Sequence, residues 1–300
     1  MQVAPLIIAG LVASTVPVLA QDAFVPACGL PYADMARKHS IDQSCPPDGH
    51  PASANPNANA NLAVEYRFKN NLCASEPAID VTLADLIAMQ QDIENDPRIP
   101  IGQRETPIPD REILKKIHKL QNGTQIGEGD RVRLVAYVTG AKATGTSRRS
   151  DGTAGEGVNC GNLGASLNDI HIDVGSSPTT QACDGIVVEM IPHYRPTAWT
   201  PTNLNKLASR PVRITGHLFL DSRHHVSTCS NPSAGDPPRI SLWEIHPVYA
   251  VDVCKSTTLS NCTVSDDGNW GPFHEWLNSP AATRAKLLPK KSARQHLKTE

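Results

Sequence analysis

The stretch that decides the fold is Arg239-Ile-Ser-Leu-Trp-Glu-Ile-His-Pro-Val-Tyr-Ala-Val-Asp-Val253. Side chains alternate between the two faces of a β-strand, so Trp243 and Ile245 are predicted to enter an apolar core. Glu244 and His246 then lie together on the opposite face. Two further apolar residues share this second face, which indicates that water covers it only in part. The stretch therefore predicts one strand that presents a carboxylate and an imidazole side by side.

Alternation with a period of two also predicts four strands before this one. They cover residues 132–140, 169–174, 185–191 and 211–220, and residues 201–207 are predicted to form a short helix. On the second strand we expect Ile170, Ile172 and Val174 to face inward, and Asp169, His171 and Asp173 to face outward. The predicted order is three strands, one helix and two strands.

This order resembles the OB-fold, a small Greek-key barrel in which a helix joins the third and fourth strands. The resemblance covers residues 129–254 and is clearest in residues 129–140, 169–172, 211–216 and 242–247; the last two strings also resemble a group of exported bacterial proteins without an assigned role. It implies a mainly β protein with α additions: a five-stranded OB-like Greek-key barrel with an N-terminal helical and loop-rich extension. It implies no function. A run of exposed aromatics on the second and third strands is missing, which argues against base stacking.

The rest of the chain is divided by composition. Residues 1–20 contain an apolar run and end in Val18-Leu-Ala20, the pattern of a secretory signal peptide. We expect a loop-rich and helical region over residues 21–128, the barrel over residues 129–254 and a C-terminal extension with a basic tail over residues 255–300. No later stretch is apolar enough to span a bilayer as an integral segment. The protein is therefore predicted to be secreted or periplasmic.

Local signals in the two extensions are weaker. Residues 48–61 lack periodicity and are predicted to be a flexible insertion. Thr82 and Asp85 are predicted to cap one helix, and Asp110 to cap another over residues 111–120, on which His118 would be solvated. Three aromatic residues near the C-terminus are expected to dock on the barrel: Trp270, Phe273 and Trp276.

Eight cysteines follow the predicted signal peptide. An even number in an exported chain favours disulfides, and Cys254 and Cys262 are close enough to close a local loop. Zinc bound by cysteine is the weaker alternative, because the chain contains no C-x-x-C pair. Four disulfides are therefore predicted, and the sequence leaves the other pairings open.

Histidines and carboxylates of three strands form the first candidate site. If a divalent metal such as zinc binds, His171, His225 and His246 are the expected ligands, with Asp221 as a ligand or orienting group and Glu244 as a ligand or general base. A metal-activated water would then support hydrolysis, for example of phosphodiesters. The alternative is a hydrogen-bonded polar seam that fixes the register of the strands.

The loop after the first barrel strand is the second candidate site. Lys142, Arg148 and Arg149 are placed to contact an anionic polymer, either nucleic acid or glycan, although a solvated loop is the alternative. The net charge of −2 gives no global attraction to such partners. The motifs of nucleophilic hydrolases and of nucleotide-binding enzymes are absent from the sequence. We therefore predict a secreted, disulfide-stabilised OB-like binding or structural module, with a metal-dependent hydrolase as the alternative, and the sequence leaves open whether the protein is an enzyme.

Overall fold

The structure is a computed structural model that describes residues 23–30, 39–52, 55–102, 107–148, 155–231 and 237–285. The predicted signal peptide, Arg149 and nearly all of the basic tail lie outside these residues. The α-helices found in the described part are α1 Ser40–Ser44, α2 Pro56–Lys69, α3 Leu83–Glu94, α4 Pro201–Leu204, α5 Phe273–Leu277 and α6 Pro280–Arg284. The β-strands found there are β1 Ile79–Val81, β2 His118–Lys119, β3 Gln125–Ile126, β4 Arg131–Ala143, β5 Ile170–Gly175, β6 Ile186–Met190, β7 Pro211–Leu220, β8 Trp243–Cys254 and β9 Trp270–Pro272.

Five of these strands close into a barrel in the order β4-β5-β6-β8-β7, and β7 pairs with β4 again. The β6–β8 pair is parallel, and the other four barrel pairs are antiparallel. The short helix α4 and a 3-10 turn join β6 to β7, the third and fourth barrel strands. The predicted mainly β fold with an OB-like barrel is confirmed. Two short strands extend the sheet, since β1 pairs with β4 and β9 pairs with β8.

Alternating side chains fill the barrel. Trp243 and Ile245 are fully buried in the main apolar core, whereas Glu244 and His246 are buried on the other face of β8, as their parity predicts. Gly216 lets β7 approach β8 closely, because a Cβ atom there would lie 2.4 Å from both the Ile245 side chain and the Pro247 carbonyl oxygen. The polar face of β8 is therefore a second buried layer outside the barrel core.

Helix α2 covers part of this polar layer. Asn55 caps the helix by accepting a hydrogen bond from the backbone N–H of Asn57, and Pro56 occupies its first turn. The predicted flexible insertion over residues 48–61 is wrong from Pro56 onward. The buried face of helix α2 contains the charged residues Glu65 and Lys69 as well as Leu62 and Tyr66. The sequence of the helix therefore shows no continuous apolar stripe. Helix α2 thus brings two charges to the barrel.

The other N-terminal predictions have mixed outcomes. Thr82 and Asp85 form the predicted capping box of α3. Asp110 caps as predicted, but the helix expected over residues 111–120 is wrong in length: a 3-10 turn, Arg111–Leu114, gives way to the β2–β3 hairpin. In that hairpin His118 contacts the Asp92 carboxylate at 2.7 Å, and only 15% of its side chain is exposed. The expectation of a solvated His118 is therefore wrong.

Four disulfides join the eight cysteines: Cys28–Cys73, Cys45–Cys160, Cys183–Cys229 and Cys254–Cys262. The predicted cystines and the local Cys254–Cys262 bridge are confirmed. Bridges of this number are typical of proteins from non-cytoplasmic, oxidising compartments. In the part of the chain that the structure describes, no helix has the length and apolar character needed to cross a membrane.

The C-terminal aromatics dock on the barrel as predicted. Phe273 is fully buried in the main core and Trp276 packs beside it, with ring centroids 6.2 Å apart. Trp270 packs against the Cys254–Cys262 bridge. C-terminal residues thus pack against the barrel core, whereas helix α2 from the N-terminal region packs against its polar face.

Candidate ligand cavity and ion cluster

A cavity of about 730 Å³ opens between α2 and the polar face of the barrel. Helix α2 supplies one wall, the loop at residues 156–158 a second, and β5, β6 and the segment after β7 the base. Ionisable side chains dominate its lining: Tyr66, Lys69, Lys142, Glu156, His171, Glu189, Asp221, Arg223 and His224. The volume lies in the range of clefts that hold metabolite-sized ligands.

Cations gather at the α2 side of the cavity. Lys69 Nζ lies 3.7 Å from Asp221 Oδ2, and Arg223 lies 3.8 Å from Glu65. Burial alone would lower the pKa of Lys69, but Asp221 and neighbouring glutamates raise this pKa well above its ordinary value. His224 contacts Asp221 at 3.4 Å. Lys69 and Arg223 therefore present cationic groups to the cavity, each with a carboxylate beside it. Asp221 would raise the pKa of His224, but burial with the nearby Arg239 and Lys69 lowers it.

Two imidazoles converge on one carboxylate on the barrel side. His171 Nε2 lies 3.1 Å from Glu189 Oε1, and His246 Nδ1 lies 3.4 Å from Glu189 Oε2. The β5–β6 pairing sets His171 directly across from Glu189. Glu156 and Asp169 complete the group, at 3.7 Å from His171 and 3.8 Å from His246. We call these five residues, Glu156, Asp169, His171, Glu189 and His246, the His–carboxylate cluster.

Burial controls the protonation of this cluster. It raises the pKa of Asp169 to about 7, to which the nearby Glu156 charge adds. Burial would also raise the pKa of Glu189, but His171 and His246 hold this pKa well below its ordinary value. For His171 the opposing effects are burial, which lowers the pKa, and Glu189 with Glu156, which together raise it well above the ordinary value. At neutral pH, Glu189 is thus ionised and His171 is protonated.

Ion pairs beside the cluster hold the remaining charges. Arg239 pairs with Glu244, and both side chains are fully buried. Arg111 donates to Glu128 at 2.6 Å and lies 3.5 Å from Glu65. These pairs lie beneath the cavity rather than in its lining. They connect the polar face of the barrel to helix α2.

The structure brings only some of the predicted site residues together. His171 and His246 meet at Glu189, whereas Asp221 lies with Lys69 and His224. His225 is exposed, and its ring lies against Gly102 rather than in the cluster. Glu244 accepts one hydrogen bond from Arg239 and approaches His246 at 3.3 Å, away from the cavity surface.

Two of the three predicted anion contacts, Lys142 and Arg148, lie among the described residues. Lys142 lines the cavity and is paired across the strands with His171. Arg148 is exposed on the loop beyond β4, and Arg149 lies outside the described residues. Of the three, Lys142 is the residue that the structure places at the cavity.

Sequence reasoning missed Lys69, Glu156 and Glu189. A signal existed for Glu189, because it is the single charged residue of a strand whose other positions are apolar. No comparable signal marks Glu156, since the Cys45–Cys160 bridge and the turn at Gly157–Asn159 position its loop. Lys69 comes from a helix that the sequence did not reveal.

Fold and site together define a disulfide-stabilised module in which a closed five-stranded barrel carries a buried ion cluster beside a cavity. No family model matches this chain, and neither a curated protein nor a solved structure matches it. The function must therefore be inferred from the site itself.

Proposed function

We propose that this chain is an exported binding module whose cavity takes a small anionic molecule or the charged end of an anionic polymer such as a glycan. The cavity of about 730 Å³ lined by Lys69, Lys142 and Arg223 is the observation that carries this proposal. Its volume suits a ligand the size of one or two sugar units. Phosphate and carboxylate groups pair well with lysine and arginine, since charge-assisted hydrogen bonds are the stronger ones.

The opposite wall fits the uncharged part of such a ligand. Glu156 and His171 are polar groups with 25% and 11% of their side chains exposed. Hydroxyl groups of a sugar can donate to the carboxylate of Glu156, while Ala52 and Ala143 offer apolar surface nearby. The ligand would therefore lie with its anionic group toward α2 and its hydroxyl groups toward the loop at residues 156–158.

Calorimetric titration with glucose 6-phosphate, glucuronate and glucose tests this function. We expect the two anions to bind, glucose to bind more weakly, and added salt to weaken the binding of the anions. Arg223→Gln should reduce the affinity for the anions by about tenfold, the effect of losing one charged hydrogen bond. Arg98→Gln is the matched control, because Arg98 is an exposed cation that pairs with Asp96 outside the cavity. Equal affinity of the wild type and Arg223→Gln for both anions would contradict the assignment.

A second candidate is a metal-dependent hydrolase that acts on phosphoesters. The convergence of His171 and His246 on Glu189, at the base of a cavity with cations on its far wall, favours it. A bound ion would supply an activated water at neutral pH. Hydrolysis of bis-p-nitrophenyl phosphate with added Mn²⁺ or Zn²⁺, lost in EDTA and in Glu189→Gln, is the expected result. Absence of ion-dependent hydrolysis would exclude this hydrolase candidate, and the binding function would then be the remaining proposal.

A further inference from the structure

We propose that Asp169, Glu189 and His246 form a binding site for one divalent transition-metal ion. One ligand atom from each residue lies within 4.8 Å of the other two. Zinc sits about 2.0 to 2.2 Å from nitrogen and carboxylate oxygen ligands, so small side-chain shifts would bring these atoms into coordination distance. This set shares only His246 with the ligands expected from sequence.

Unpartnered buried atoms are the second, independent observation. Neither carboxylate oxygen of Asp169 has a hydrogen-bond partner among the described residues, and the same holds for Glu189 Oε2 and His246 Nε2. All three residues are at most 1% exposed. A buried polar atom without a partner is costly, so several in one place indicate a group that satisfies them together.

The local charges point to a cation. Lys69 is engaged by Asp221 and Arg239 by Glu244. The guanidinium of Arg195, near Asp169, donates to the backbone carbonyls of three residues: Ala165, Asn168 and Met190. Glu156, Asp169 and Glu189 are left with two imidazoles as their close partners. When Asp169 is ionised, three carboxylates against two imidazoles leave negative charge in the cluster even with both rings protonated.

The three proposed ligands lie on or beside strands that are neighbours in the barrel sheet. Asp169 immediately precedes β5, Glu189 lies on β6 and His246 on β8, and these strands neighbour one another in the sheet. Glu244 contacts His246 Nδ1 at 3.3 Å, as an orienting carboxylate does for many metal-bound histidines. Sites built on strands keep their geometry well. The site is therefore preorganised by the fold.

Ligand chemistry selects the class of ion. One imidazole nitrogen with two carboxylates suits Zn²⁺ or Mn²⁺ better than Mg²⁺ or Ca²⁺, which favour oxygen ligands alone. Cys183, Asp184 and Cys229 also lie close together, but both cysteines are consumed in one disulfide. Glu189 belongs both to the proposed ligands and to the cavity lining, so an ion would reach the site through the cavity.

The test is calorimetric titration of the chelator-stripped mature protein with Zn²⁺ and, separately, Mn²⁺. We expect one equivalent of at least one of these ions to bind, and Asp169→Asn to weaken its binding more than about a hundredfold. His225→Ala should bind like the wild type, because His225 is exposed and outside the cluster. Circular dichroism and a cooperative melt in EDTA establish that Asp169→Asn is folded.

Two results would overturn the proposal. One is the absence of stoichiometric binding of either ion to the wild type. The other is binding that folded Asp169→Asn retains in full, because the ion would then have other ligands. Ion binding is measured without an anionic ligand, so its failure would remove the hydrolase candidate and leave the proposed binding cavity untouched.

Discussion

His246 Nε2 lies 3.8 Å from Asp169 Oδ2, and both side chains are completely buried. Neither atom has a hydrogen-bond partner among the described residues. A contact of this kind stabilises the fold poorly as it stands, because the charges are desolvated without compensating hydrogen bonds. The proposed metal ion would give both atoms a partner, so its binding should stabilise the folded protein.

Asp169→Asn is expected to stabilise the metal-free protein by about 1 to 3 kcal/mol at pH 8, since it removes a buried carboxylate that accepts no hydrogen bond from the described residues. The pKa of Asp169 is raised to about 7 by burial and by Glu156, so its protonated form stabilises the fold below the unfolded pKa and that stability is lost as pH rises through 7. The gain from Asp169→Asn should shrink toward pH 4. Urea unfolding in EDTA at both pH values measures it, and a loss of stability at pH 8 would count against the unpartnered carboxylate.

His217 should make the protein sensitive to acid. Burial lowers the pKa of His217 to about 4, and its Nδ1 lies 2.8 Å from the His246 carbonyl oxygen. Because the folded pKa lies below the unfolded value of about 6.5, stability is full above pH 6.5 and falls as pH drops toward 4. His217→Gln retains a donor but cannot titrate. We expect its unfolding free energy to fall less than that of the wild type over this window, and parallel curves would exclude His217 as the cause.

The Cys45–Cys160 bridge connects the end of α1 to the loop that carries Glu156, and the two cysteines are 115 positions apart in the sequence. Replacing both cysteines by alanine should lower stability by about 2 to 5 kcal/mol, because a long loop regains entropy when unfolded. The Cys254–Cys262 bridge joins cysteines only 8 positions apart in the sequence and supplies the control. The corresponding double variant should lose less. Equal losses of unfolding free energy in the two double variants, measured by denaturant unfolding, would contradict the explanation by loop length.

Arg111 is central to the buried ion pairs. It donates to Glu128 at 2.6 Å and to the Leu220 carbonyl oxygen at 2.7 Å. Arg111→Met should lower the free energy of unfolding by about 3 to 5 kcal/mol, since it leaves buried carboxylates without a cation. Adding Glu128→Gln should restore part of this free energy. Thermal and urea unfolding of both variants measure this coupling. A further loss of stability in the double variant would contradict this explanation, because the uncompensated charge of Glu128 would then not be the cause of the loss.

The barrel was predictable from sequence because its signal is local. The alternation through Trp243, Glu244, Ile245 and His246 specifies which side chains share a face before any partner strand is known. Helix α2 gave no such signal, since Glu65 and Lys69 are buried against charges contributed by distant segments. Tertiary ion pairs of this kind leave no periodic trace in the sequence.

The composition of the site was harder to predict for the same reason. His224 and His225 are neighbours in the chain, yet His224 lines the cavity and His225 is exposed. The backbone path of the turn after β7 determines which of the two histidines faces the cavity. This path could not be predicted from the sequence of the turn. Glu189 and Asp169 join His246 only because β5, β6 and β8 are adjacent in the closed barrel. Strand identity could be predicted, but the side chains that meet depend on register.

The central claim is that the polar face of the barrel holds a divalent ion beside a ligand cavity. The most direct measurement is an anomalous difference map from a crystal soaked in Mn²⁺, collected beside a chelator-treated crystal. We expect one strong peak bounded by Asp169, Glu189 and His246 that is missing after chelation. A map with no peak there, or with manganese only at exposed residues such as His225, would contradict the claim.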